Sequence, residues 1–126
     1  MEKAKKFEDL LVWRKSHELT IQIYEITKSY PPEEKFGLVS QMRRAAVSIP
    51  ANIAEGFNKR GMRDKANFYN IAQASLEELR YYLILSKDLG FYDKSRELDQ
   101  PMQEIGKMLQ GLAKSMRKRT VASGRD

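Results

Sequence analysis

The sequence predicts an all-α protein, an antiparallel up-down-up-down four-helix bundle with its second helix kinked at Pro50. Three observations lead there. Four segments repeat apolar residues at steps of three and four, which lines one face of a helix. Seven Gly and four Pro leave little room for an all-β chain full of turns. At 126 residues the chain is long enough for one domain with one real core.

The first helix is expected from Phe7 to Ser29, with Glu8 and Asp9 near its positive N-terminal end. Leu19, Ile23, Ile26 and Tyr30 form one apolar stripe; Leu10, Trp13, His17, Ile21 and Tyr24 form a second. Two stripes imply contact with more than one neighbour. Tyr30-Pro31-Pro32 ends the helix, because the residue before a proline leaves the α region.

The second helix is expected from Glu33 or Phe36 until Gly56, and the rest of the chain is organised around it. At about 100° per residue it divides into three arcs. Leu38, Met42, Ala45, Ala46, Ile49 and Ile53 form a core face. Gln41, Arg44, Ser48, Asn52 and Glu55 form a polar strip beside it. The third arc should face water, yet it holds Ser40, Val47, Ala51 and Ala54, with Arg43 at its margin. A surface helix without a charged back is usually enclosed on all sides. So short a chain cannot enclose it alone, and these residues are expected to meet another subunit. Pro50 removes one ladder hydrogen bond, hence the kink.

The third helix is expected from Met62 to Leu89, with Phe68, Ala72, Ser75, Leu79, Tyr82, Ser86 and Leu89 as its seam and Ile71, Leu76 and Leu83 broadening it. Gly90 suits a C-terminal cap, and Asp93 an N-cap for the fourth helix. That helix carries Leu98, Met102, Ile105, Leu109, Leu112 and Met116, with Pro101 marking a break or late start. The domain spans residues 1–119, and residues 120–126 read as a disordered basic tail.

Composition excludes much chemistry. Without cysteine there are no disulfides, thiolate catalysis or cysteine-ligated zinc. The single histidine, His17, lies on an apolar stripe, and no Glu-x-x-His pairs exist for a di-iron site. No nucleophile elbow or phosphate loop is present, so no enzyme, metal or cofactor is expected. No apolar run is long enough to span a bilayer and no signal-peptide core is evident, which predicts a cytoplasmic protein with no membrane partner.

The net charge of +6 is unevenly placed. Lys59, Arg60, Arg63 and Lys65 cluster in the second connection, and Lys114, Arg117, Lys118 and Arg119 end the fourth helix. In an up-down bundle both clusters reach the same pole. They are expected to contact phosphates of RNA or DNA, with strong salt dependence and little sequence selectivity. The alternative is a ring that docks another protein without a nucleic-acid role. In the polar strip, Arg44 or Arg43 is expected to pair with Glu78 or Glu55, with Gln41, Ser48, Asn52 and Ser75 satisfying what remains. A structural role for this strip outweighs a ligand site.

The segment FGLVSQMRRAAVSIPANIAEG, with FEDLLVWRKSHEL upstream and FYNIAQASLEELRYYL downstream, resembles the 23S rRNA-intervening sequence protein family. The resemblance covers about residues 7 to 113. It implies a left-handed antiparallel bundle assembling as a homopentamer around a central channel. The architecture is similar to the accessory variability proteins of diversity-generating retroelements, basic pentamers that work with nucleic acid and a reverse transcriptase. The family pattern falls on Leu38, Gln41, Arg43, Arg44, Ala45, Ser48, Ile49, Pro50, Asn52, Ile53, Ala54, Glu55 and Gly56, then on Ser75 and Glu78. Ala74 stands where the family commonly has glycine, which implies slightly wider spacing of the second and third helices. The resemblance supplies no catalytic residues.

Overall fold

In the computed structural model, residues 3–92 and 97–123 are described. Four helices, α1 (Leu11–Thr27), α2 (Leu38–Asn58), α3 (Met62–Asp88) and α4 (Asp99–Ser123), follow one another, with short 3-10 turns at Phe7–Asp9 and Pro32–Glu34. Among the described residues there is no strand. The α1 helix packs on α2 and α4, and α3 packs on the same two, so the helices lie in the cyclic order α1-α2-α3-α4. Leu19, Ile23, Met42, Ile49, Ile53, Leu79, Ile105 and Leu109 are fully buried where the four apolar faces meet.

The first helix starts later than Phe7. The Asp9 carboxylate accepts the Lys5 and Lys6 backbone N–H groups at 3.0 and 3.2 Å, closing a separate turn. Leu10 is then extended before α1 begins. Of the two stripes, Leu19, Ile23, Ile26 and Tyr30 are buried, whereas Ile21 is 50% and Tyr24 39% exposed. The second stripe therefore divides: Leu10 and Trp13 pack against the core, while His17, Ile21 and Tyr24 lie on the surface.

Gly37, with φ −109° and ψ −109°, delays α2 until Leu38, leaving Phe36 in the turn before it. The helix does not end at Gly56. A Cβ there would lie 2.9 Å from Tyr69 Cε1 and 3.0 Å from Phe68 Cβ, so glycine serves close α2–α3 packing inside the helix.

Pro50 lies within α2 without ending it, and the rest of the fold compensates for its missing N–H. The carbonyl left free one turn earlier belongs to Ala46. Thr20 Oγ1 of α1 donates to it at 3.0 Å, sharing its proton with Ser16 O at 2.9 Å. Thr20→Val removes that donor at constant shape and strands a buried carbonyl. It is expected to cost about 1–3 kcal/mol, read as a lower urea midpoint at unchanged slope. Wild-type stability would show that Ala46 needs no donor.

The α3 seam is buried at Ala72, Leu76, Leu79, Leu83 and Ser86, while Ile71 and Leu89 are 47% and 51% exposed. Ala74 is exposed too, so its methyl points away from the α2–α3 contact. The helix closes on Gly90 (φ 78°), with Phe91 N–H donating to Ser86 O at 2.8 Å and Gly90 N–H to Lys87 O at 3.0 Å. This is the six-to-one and five-to-two pairing of a Schellman cap. Asp93 lies outside the described residues.

Pro101 falls in the first turn of α4, where a missing N–H costs nothing. The helix runs past Arg119 to Ser123, so the expected disorder does not begin at residue 120. The absence of glycine, proline or acidic residues from Leu112 to Ser123 gives it no reason to stop earlier.

Candidate nucleic-acid interface

The basic connection and the end of α4 meet at one pole. Arg117 Nη1 of α4 donates to Asn70 Oδ1 of α3 at 3.5 Å. Lys65 is held close enough to Arg119 for repulsion to add to burial, its larger cause, in lowering the lysine pKa. Lys65 also donates to Phe57 O at 2.6 Å and Gly56 O at 3.4 Å, capping the C-terminal carbonyls of α2. It is thus a half-buried structural cation, in contrast to exposed Lys59, Arg60, Arg63, Lys114, Arg117, Lys118 and Arg119. The Lys59 ammonium lies 5.1 Å from the Phe68 ring centroid, and Lys65 lies 5.4 Å from that of Phe57.

Carboxylates leave most of this end unneutralised. Arg60, Lys114, Lys118 and Arg119 form no ion pair among the described residues. Along the shaft, by contrast, Lys15 pairs with Glu104 at 2.9 Å and Arg80 with Glu77 at 3.6 Å.

The polar strip departs from expectation. Arg43 turns toward α1, where its Nε donates to Thr27 Oγ1 at 3.0 Å, its Nη2 to Tyr24 O at 3.3 Å, and its guanidinium covers the Tyr24 ring at 4.4 Å. Arg44 is exposed and forms no ion pair within 4.0 Å among the described residues. Glu78 instead accepts from Tyr82 Oη at 2.7 Å, the first cause of a raised Tyr82 pKa. The expected Arg–Glu pairing is therefore absent, because Arg43 lies at the α1 edge of α2 and Glu78 is exposed. The uncharged part holds together. Ser48 Oγ and Ser75 Oγ are 2.7 Å apart, and Asn52 Nδ2 donates to Ser48 O at 2.7 Å and Ser48 Oγ at 2.9 Å. Gln41 and Glu55 are exposed.

Ser40, Val47 and Ala51 of the third arc are exposed on the single chain, and Ala54 is half-buried. His17 stacks on Trp13 at 5.1 Å with an interplanar angle of 8°. Among the described residues, no group of three or more His, Cys, Asp or Glu is arranged to hold a metal ion. No helix among them is long and apolar enough to cross a membrane.

Two further residues share the exposed surface of α4 with the basic cluster: Lys107 and Gly111. They lie outside the dense charge run that marks the cluster in the sequence; their register with Lys114 was the available signal.

Comparison with known proteins agrees with the architecture. A crystal structure of a protein of unknown function from the S23 ribosomal protein family of Bacteroides thetaiotaomicron VPI-5482 is similar. It shares 26% identity with a TM-score of 0.75, the match covering 82% of this chain and 96% of that one. No curated protein matches. The model of the 23S rRNA-intervening sequence protein family matches residues 8–111, and the chain belongs to that family.

Proposed function

We propose that the protein is a non-enzymatic cytoplasmic homo-oligomer, a pentamer as the resemblance implies, that binds RNA or DNA through the basic pole of each subunit. The observation that carries this reading is the convergence of the two cationic segments, with Arg117 of α4 bonded to Asn70 of α3 and Arg119 within electrostatic reach of Lys65. Phosphates suit such a pole, since backbone contacts need positive charge and no base code. Anisotropy titrations with labelled RNA and DNA across about 50–200 mM salt test it. Affinity should fall at least about tenfold over that range. Absent binding, or a salt-independent affinity, overturns the reading.

The outward arc of α2 supports the assembly. Val47 is 43% exposed, and Ile21 on α1 and Ile71 on α3 are exposed as well. Copies covering Val47 and its arc would repeat the poles around one axis. Val47→Glu or Ala51→Glu is expected to dissociate the assembly in light scattering without unfolding the exposed site. A wild-type monomer at micromolar concentration overturns the oligomer.

A second reading, a ring that docks another protein, would use exposed side chains such as Phe36, 88% exposed at the other end of α2. Capture of one defined partner that survives nuclease treatment would favour it.

A further inference from the structure

We infer that the nucleic-acid contact extends from the pole down the shaft of α4, where a duplex lays one sugar–phosphate strand along the helix; the inference rests on the nucleic-acid reading above. From Ile105 to Gly124 there is no acidic residue. The opening of α4 is different, with Glu104 paired to Lys15 and Asp99 facing Lys87. At about 100° per residue, Lys107, Gly111, Lys114 and Lys118 fall within about 60° of one another. All four are exposed, and the three lysines form no ion pair among the described residues. The row from Lys107 to Lys118 spans about 16 Å of helix, the axial length of roughly five phosphates on one strand.

Gly111 supplies an independent reason to place the strand there. Glycine inside a helix is unfavourable relative to alanine. At Gly56 the packing of α3 demands it, but a Cβ on Gly111 would meet nothing within 4 Å. The fold therefore has no steric use for Gly111. Its smallness instead leaves a low point among three lysines, where a backbone can approach the helix closely.

Single-strand binders stack bases on exposed aromatic rings. No aromatic residue occurs in α4. At the pole Tyr69 is buried, while Phe57 and Phe68 are half-buried and faced by Lys65 and Lys59. The interface thus offers charge without a stacking platform, which suits duplex backbone rather than unpaired bases.

Full-length wild type, Gly111→Gln and the double variant Lys107→Ala/Lys118→Ala are titrated against duplex RNA, duplex DNA and single strands of equal length, with melting temperature and light scattering as controls. Gly111→Gln should melt about 2–5 °C higher yet bind duplex about tenfold more weakly. The double lysine variant should lose about 50-fold at 0.1 M salt and flatten the salt slope by about 2. Single strands should bind more weakly than either duplex. Either variant binding duplex like wild type overturns the α4 contact, and equal or tighter single-strand binding overturns the duplex assignment. If Arg60→Ala/Arg119→Ala alone weakens binding, the pole survives as the site without the shaft. If wild type binds no nucleic acid, the functional reading itself falls.

Discussion

Replacing Arg60 and Arg119 together by alanine is expected to weaken nucleic-acid binding about 50-fold near 0.1 M salt and to flatten the log–log salt dependence by about 2. The two residues belong to the two converging segments, so the double variant depletes both halves of the pole. Each is exposed and free of any carboxylate partner among the described residues, so its charge is available to phosphate. Folding should be untouched, since neither side chain packs in the core. Removing Arg119 also takes away the smaller of the two causes that lower the Lys65 pKa, while burial remains. Arg80→Ala serves as the control, because Arg80 already pairs with Glu77 on the shaft. Its loss should change affinity by less than about twofold, because the neighbouring Glu77 carboxylate already offsets its charge. Equal losses from the control and the pole variant would mean that net charge, and not the pole, governs binding.

Gly56→Val is expected to destabilise the fold by about 2–3 kcal/mol. The incoming Cβ meets Tyr69 Cε1 at 2.9 Å and Phe68 Cβ at 3.0 Å. The tyrosine ring can tilt, but the Phe68 Cβ is tied to the α3 backbone, so relief requires moving the helices apart. Two γ-methyls add to the overlap. Because Gly56 adjoins the connection carrying Lys59 and Arg60, the same displacement should loosen the basic pole. Thermal and urea denaturation measure the loss, and anisotropy titrations measure its effect on binding. A Gly56→Val chain as stable as wild type would show that α2 and α3 can separate at this point without cost.

These two glycine-dependent distances mark a boundary in what was legible beforehand. The core faces were readable because burial repeats with the helix: Leu19, Ile23 and Ile26, then Leu79, then Leu98, Ile105 and Leu109 are all buried as their spacing required. The Gly90 cap was readable for a local reason as well, since among the described residues Gly90 alone adopts a left-handed φ, whereas α1 already ends at Thr27, ahead of Pro31. The convergence of the two basic segments followed from topology, because α2 and α4 of an up-down bundle finish at the same end.

Partner choice was not legible. Arg43 and Arg44 are adjacent and chemically identical, yet only Arg43 reaches α1, where Thr27 and the Tyr24 carbonyl await it. The Ala46 carbonyl orphaned by Pro50 could be foreseen, but not that Thr20 would be its donor. The role of Gly56 was misplaced for the same reason: its partner ring and backbone belong to α3. By itself the sequence determined four helices, their apolar faces, their order and the ends that carry positive charge, all consequences of local period and chain direction. The tertiary structure decided which side chains meet across the seams, because that depends on helix rotation and separation to within an ångström or so, set jointly by every residue in the contact.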